Sequence, residues 1–358
     1  MAAPLIRVLI VDDSMFMRGA IAKTLKATGS FEIVGQAQSG DEALKRVTEL
    51  APDVITMDFN MPGMTGADAV RRIMSTRPTP VVMFSAHTQR GAKETFDALD
   101  AGALDFVTKP SGEVSADLSK VQDELVRKLT AAAGTRPGRI AAPSAARSPK
   151  ADEKAPLSPR AAPSRTAPPS SAPGLSKLCV IAVSTGGPVA LTYVIPALPR
   201  DTRFGVVVVQ HMPAGFTTTL AERLDAESAL TVREAALGDR PRPGLVLVAP
   251  GDRHLEFDDR GGVVLTDGPL VNGCRPAADV TMLSAARVYG RRTIGVVMTG
   301  MGKDGAAGAL AIKKAEGRTL AQDEDSSVIF GMPKAAIDAG AIDEVAPLDE
   351  IASRLRFF

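Results

Sequence analysis

The chain has 358 residues, which suits two domains rather than one, and a 45% hydrophobic content sufficient for two sizeable cores. Forty-two basic against 41 acidic side chains leave a formal charge of +1, so nothing global points to nucleic acid or an anionic membrane as partner. The two cysteines, Cys179 in an apolar run and Cys274 in a polar loop, indicate neither a disulfide framework nor a cysteine zinc site, and suit a reducing cytoplasm.

Residues 5–11 (LIRVLIV) predict a first strand with Asp12 and Asp13 at its carboxyl end. An amphipathic helix follows, with Phe16, Ala20, Ile21 and Leu25 spaced along one face. Strands are then expected at 31–37, 53–57, 80–84 and 104–107, alternating with helices that begin at 40–49 and end with Val121, Leu125 and Leu129. Five strands alternating with helices over ~130 residues indicate an α/β, doubly wound parallel sheet.

Function in such sheets lies beyond the carboxyl ends of the strands. Those ends carry Asp12, Asp13, Asp58, Ser85 and Lys109. Three carboxylates at one edge repel unless a cation joins them, and a hard, oxygen-seeking ion such as Mg²⁺ is the natural choice. With a metal, an ammonium and a hydroxyl around it, one carboxylate can accept a phosphoryl group whose oxygens Lys109 and Ser85 would hold. Solvated acidic loops at strand ends are the plainer alternative.

The stretches IVDDS, MDFNMPGMTG and TKP resemble a two-component receiver domain, covering residues 1–130. That resemblance implies Asp58 as phosphoacceptor, and Mg²⁺ held by Asp12, Asp13, Asp58 and the backbone carbonyl of Asn60. It also implies Ser85 and Lys109 as sensors of the phosphoryl group, Phe106 as the switch aromatic, and a sensor histidine kinase as phosphodonor. Thr65 departs from the acidic or amide residue often placed before the glycine, outside the acidic pocket.

Over 131–177 the composition changes abruptly: nine of the 26 prolines fall here among alanines, serines and single arginines. Eight basic residues against Asp152 and Glu153 make the segment +6, leaving −5 for the remainder of the +1 chain. A disordered, partly extended tether is expected. The absence of aromatics in it argues against a nucleic-acid arm.

From residue 178 the α/β alternation resumes with LCVIAVSTGGP. Six apolar residues make a buried strand; Ser184 and Thr185 follow, then two glycines for a tight turn and Pro188 for the first turn of a helix. A hydroxyl beside helix N-terminal amides suits a serine nucleophile, although Ser184 as a simple N-cap fits the same letters. A central strand at 204–209 ends at His211, one of three histidines in the chain. Short strands at 245–249, 254–257 and 262–265 suggest a hairpin excursion, and a buried strand at 293–298 runs into TGMGKDG.

Ser184, His211 and Asp304 thus come from three strand-to-loop junctions on one edge, in the roles of nucleophile, base and orienting carboxylate. Glycine-bounded amides near Thr185 and Met301 would stabilise the oxyanion. Two other readings stay open. Gly300, Gly302 and Gly305 spell G-x-G-x-x-G with Asp323 beyond it, as a nucleotide-dependent enzyme would require. A receiver-controlled scaffold protein would need no chemistry at all.

The motifs AVSTGGP, VVQHMPAGF, VAPGDRH, DGPLVN, VVMTGMGKDG and VIFGMP run in order through 178–333 and resemble the catalytic domain of the chemotaxis protein-glutamate methylesterases. With the receiver and linker, the likeness covers essentially the whole chain. It implies a phosphorylation-activated serine esterase, with Ser184, His211 and Asp304 as its triad. The substrate would be glutamate γ-methyl esters on the cytoplasmic helices of chemoreceptors, releasing methanol, with glutamine deamidation as a second activity. No cofactor is expected for the esterase step. The expected domains are 1–130 (receiver), 131–177 (linker) and 178–358 (catalytic). The first residues lack a secretory-signal pattern and no segment approaches the ~20 apolar residues of a membrane span, so a cytoplasmic protein without membrane insertion is expected.

Overall fold

A computed structural model describes residues 4–86, 88–109, 118, 121–135 and 177–358. The first unit reads β1 (Ile6–Val11), α1 (Met15–Ala27), β2 (Phe31–Ala37), α2 (Gly40–Leu50), β3 (Val54–Asp58), α3 (Gly66–Thr76), β4 (Val81–Ala86), α4 (Gln89–Asp100), β5 (Asp105–Lys109) and α5 (Gln122–Ala133). Its five strands form one parallel sheet in the order β2-β1-β3-β4-β5. Strand β3 is buried throughout and β4 up to Ser85, as a sheet covered by helices on both faces demands. Ser14, Ser39, Thr65 and Thr88 each accept a backbone N–H from the first turn of α1, α2, α3 and α4, which fixes where those helices begin. Thr65, the departure noted above, therefore serves as a helix cap.

One sequence expectation fails in this unit. Ile21 and Leu25 of α1 enter the core, but Phe16 stands 64% exposed and Ala22 takes an inward position instead. In that first turn Met17, not Phe16, packs against the core.

The expected 131–177 linker lies largely, over 136–176, outside the described residues. Its first residues close α5, and Lys177 opens the next strand.

The second unit comprises β6 (Lys177–Val183), α6 (Gly187–Ala197), β7 (Phe204–Gln210), α7 (Phe216–Glu227), β8 (Thr231–Glu234), β9 (Leu245–Val248), β10 (His254–Phe257), β11 (Val263–Thr266), α8 (Ala278–Tyr289), β12 (Thr293–Val297), α9 (Ala306–Lys314), β13 (Arg318–Gln322), α10 (Met332–Asp338), β14 (Glu344–Ala346) and α11 (Leu348–Arg354). Seven strands form a parallel sheet in the order β14-β13-β12-β6-β7-β9-β8. The expected excursion shrinks to the antiparallel pair β10-β11, because the fully buried β9 joins the main sheet beside β7. Strand β6 lies between β12 and β7, so the connections leave it in opposite directions and open a crevice at its carboxyl end. Among the described residues no helix is long and apolar enough to cross a membrane.

The two units touch. Arg223 of α7 makes a forked pair with Asp100 at the end of α4, 2.8 Å to each carboxylate oxygen, and lies over the Phe96 ring. Beside it Phe106 of β5 stacks on Phe216, the first residue of α7, with ring centroids 4.6 Å apart.

Candidate active site

The turn after β6 is shaped by what surrounds it. Gly186 has φ +77°, a left-handed conformation that glycine takes without strain, and it caps α6 with Pro188 in the first turn. A Cβ on Gly187 would lie 2.1 Å from the Gln210 Oε1, so no larger residue fits there. The Gln210 side chain in turn donates to the Ser184 carbonyl at 3.0 Å. On the other side the Ser184 amide donates to the Thr299 carbonyl, and a Cβ on Gly300 would come 2.8 Å from the Ser184 Cβ. Ser184 is thus held between the ends of β7 and β12, half-buried and facing a cavity.

His211 enters the same cavity from the end of β7, where its amide donates to the Val183 carbonyl. Its ring Nε2 lies 2.7 Å from the Asp304 Oδ2. The structure therefore brings His211 and Asp304 into direct contact and places Ser184 in the cavity they line; among the described residues no hydrogen bond joins the Ser184 and His211 side chains. With Nε2 committed to Asp304, a reacting hydroxyl would have to reach the opposite ring nitrogen, with Cys274 also interacting with the ring. Burial would depress the imidazolium, but the hydrogen bonds to Asp304 and to Cys274 outweigh it and push its pKa up to about 9. Asp304 is 2% exposed, yet its hydrogen bonds from His211 and from the Asp279 and Ala278 amides hold it below the usual carboxylate range against the cost of burial. Thr185 and Met301 line the cavity beside Ser184.

The cavity, about 290 Å³, has a wall from each unit. Glu124, Arg127 and Lys128 of α5 face Ser184 and His211 across it, and Arg127 comes close to Gly273. Lys128 is tied to the first sheet: its ammonium donates to the Phe106 carbonyl, pairs with Asp105 and Glu124, and lies over the Phe106 ring.

The acidic cluster of the first sheet forms as expected, with ligand oxygens of Asp12, Asp13 and Asp58 all within 4.8 Å of one another. That donor set suits a hard divalent cation. Lys109 lies 2.9 Å from both Asp12 and Asp58. Desolvation dominates at Asp58 and lifts its pKa to about 6 in spite of Lys109, with the Asp12 charge adding to the rise. Ser85 is buried nearby but gives its hydroxyl to the Gly91 carbonyl. The Asn60 side chain donates to Glu94 at the rim. Phe106 is not in this pocket; it is buried against Phe216.

The G-x-G-x-x-G reading fails on its own amides. Those of Gly305 and Gly308, which a pyrophosphate would need at the start of α9, already donate to the buried Asp279 carboxylate. Asp323 accepts from Ser326 instead of facing that loop. The other histidine of the described residues, His254, is consumed structurally: Nε2 meets the Pro269 carbonyl and Nδ1 accepts from the Ala277 amide. Sequence reasoning did not single out Gln210, Asn272, Cys274 or Asp279. Only Asn272, inside the DGPLVN stretch, and Gln210, next to His211, lay in quoted motifs.

An acidic pocket at one sheet edge and a serine, histidine and aspartate at the other have the arrangement of a receiver joined to a hydrolase. Residues 179–355 match the family described as CheB methylesterase, and residues 8–118 match the response regulator receiver domain. The chain belongs to the CheB methylesterase family. It is 46% identical over 98% of its length to a Symbiobacterium thermophilum protein named protein-glutamate methylesterase/protein-glutamine glutaminase, covering 96% of that relative. It is 45% identical over 97% of its length to a Pyrococcus abyssi protein of the same name, covering 91% of it. The crystal structure of the Thermotoga maritima CheB methylesterase catalytic domain is 47% identical, with a TM-score of 0.49 over 50% of this chain and 96% of that one.

Proposed function

We propose that this methylesterase hydrolyses glutamate γ-methyl esters on the cytoplasmic helices of chemoreceptors through Ser184, His211 and Asp304. The contact between His211 and the buried Asp304, in the cavity that holds Ser184, carries the reading. Ser184 Oγ attacks the ester carbonyl while the imidazole takes its proton on the nitrogen opposite Asp304. The tetrahedral oxyanion lies toward the amides at Thr185 and Met301. Collapse breaks the bond to the methoxy oxygen, which leaves as methanol with the proton from His211. Water, deprotonated by the same ring, then releases the glutamate carboxylate and restores Ser184. An amide substrate passes through the same steps with ammonia as leaving group, which accounts for glutamine deamidation.

The receiver, expected over 1–130 and tethered by 131–177 to the catalytic domain at 178–358, supplies control. In our reading Asp58 accepts a phosphoryl group from a sensor histidine kinase in the cytoplasm. Asp12, Asp13, Asp58 and the Asn60 carbonyl would hold the Mg²⁺ that receiver phosphorylation requires, and the clustering of the three carboxylates supports this. The cation supplies charge neutralisation at the phosphoryl oxygens; Lys109 and Ser85 contribute an ammonium and a hydroxyl to the same oxygens. Phe106 and Lys128 then transmit the change to α5, which lies over Ser184, and uncover the cavity.

Methanol release from methylated receptor membranes, with and without a small-molecule phosphodonor, tests both parts. Full activity in Ser184→Ala would overturn the chemical assignment. Equal rates for wild type and Asp58→Ala under phosphorylating conditions would overturn the regulatory one.

A further inference from the structure

Behind His211 two helices exchange caps. Asp304 precedes α9, but its carboxylate accepts the Ala278 and Asp279 amides at the start of α8, at 2.6 and 3.0 Å. Asp279 is in the first turn of α8, but its Oδ1 accepts the Gly305 and Gly308 amides at the start of α9, at 3.0 and 2.8 Å. Each acid thus satisfies the N-terminal amides of the other's helix. Two buried carboxylates so arranged repel each other, and one side chain is placed between them. The Asn272 Nδ2 donates to Asp279 Oδ2 at 2.8 Å and to Asp304 Oδ1 at 2.9 Å, using one amide proton for each. Asn272 itself has φ +53°, a left-handed conformation that asparagine tolerates better than most residues.

We propose that Asn272 and Asp279 are positioning residues of the esterase: the Asn272 amide, braced by Asp279, locks the Asp304 carboxylate in the orientation that faces His211. The inference rests on the reading of Asp304 as the group that orients His211. With Oδ1 pinned by Asn272 and the Asp279 amide, only Oδ2 is presented to the imidazole, shared with the Ala278 amide. The environment also distinguishes the two acids. Burial and the Asp304 charge raise Asp279 above the usual range, whereas hydrogen bonds from His211 and from the Asp279 and Ala278 amides hold Asp304 below it against its own burial. Catalytic groups held by such supporting hydrogen bonds lose rate when the support is removed, because orientation is lost while substrate binding is untouched.

The full-length enzyme provides the test, with methanol release from methylated receptor membranes giving kcat and KM, and the ring N–H resonance of His211 giving the state of its hydrogen bond. Asn272→Gly keeps the left-handed backbone and removes both amide donors. A kcat lower by about 10- to 100-fold, the range typical of lost supporting hydrogen bonds, with KM unchanged and the His211 resonance displaced, is the expected result. Asn272→Asp keeps size and backbone but sets a third carboxylate against the pair, and a deeper loss of kcat is expected. Asp279→Asn keeps the cap acceptor and guards against misfolding in the other variants; it is expected to lower kcat and displace the same resonance. Wild-type kcat in folded Asn272→Gly and Asp279→Asn, beside an impaired Asp304→Asn, would overturn the positioning role alone. Wild-type kcat in Asp304→Asn would overturn the reading of Asp304 and this inference with it. A lowered kcat with an unmoved His211 resonance would also overturn the inference, since support would then act elsewhere.

Discussion

Phe106 lies against Phe216 across the boundary between the two units, with ring planes 15° from parallel. Both rings are buried, so the pair belongs to the contact between the two units, and Lys128, which lies over the Phe106 ring, lines the catalytic cavity. A buried aromatic pair contributes about 0.5–1.5 kcal/mol beyond its area, equivalent to roughly a 2- to 10-fold bias toward the closed arrangement. Phe216→Ala is therefore expected to raise methanol release without phosphodonor by about that factor and to narrow the gain from phosphorylation. An unaltered basal rate in folded enzyme would rule this out.

The raised pKa of His211 gives a signed pH dependence. The ring must be neutral to take a proton from Ser184, and the resting enzyme keeps it charged up to about pH 9. Unphosphorylated enzyme should accordingly gain kcat/KM as pH rises through about 9, and Asp304→Asn should move that limb to lower pH. The same shift governs stability: a raised histidine pKa contributes fully below the unfolded value near 6.5 and is lost as pH rises through the folded value. The difference in melting temperature between wild type and Asp304→Asn is expected to shrink between pH 6 and pH 10.

At Asp58 the sign is opposite to that of an acid whose ion pair outweighs its burial. Its pKa rises from 3.8 to about 6, so ionisation works against the fold, and stability falls as pH climbs from the lower value to the higher. With a chelator present at pH 8, Asp58→Asn should melt at a higher temperature than wild type, by an amount equivalent to about 1–3 kcal/mol. The same substitution should abolish stimulation by phosphodonor. A lower melting temperature would show that Lys109 compensates the buried charge fully.

Two glycines near the site separate crowding from backbone strain. A Cβ at Gly187 meets Gln210 Oε1 at 2.1 Å and Val183 Cγ2 at 2.6 Å, so Gly187→Ala should cost about 1–3 kcal/mol in denaturant unfolding and displace Ser184. Gly302 has open space around it but φ +91°, so Gly302→Ala is expected to cost about 1–2 kcal/mol from backbone conformation alone. The second variant should keep more of the esterase activity than the first.

The features legible in the sequence share a physical origin. Strands β1, β3, β6, β7 and β12 are buried on both faces, so they stand out as apolar runs, and the chemistry lies in the residues that immediately follow them. His211 was legible because histidine is rare here and this one follows a strand. Strands β8 and β14 were not, since they are four and three residues long, lie at the sheet edges and carry polar or exposed positions. The Asn272 clamp was equally hidden: it joins a loop to a residue 32 positions later, and neither partner belongs to a periodic pattern. Phe16 misled because its spacing matched a core face, whereas in the first turn of α1 it is Met17 that packs against the core.

The composite cavity has a pharmacological consequence. A compound filling it would touch α5 on one side and Ser184 or His211 on the other, and so would bind only while the two units are together. By mass action such a molecule stabilises the shut form in proportion to its concentration over its dissociation constant. It would act as an interdomain glue, its potency falling as the kinase becomes more active, whereas an ordinary competitor of the methyl ester would gain potency under the same signal.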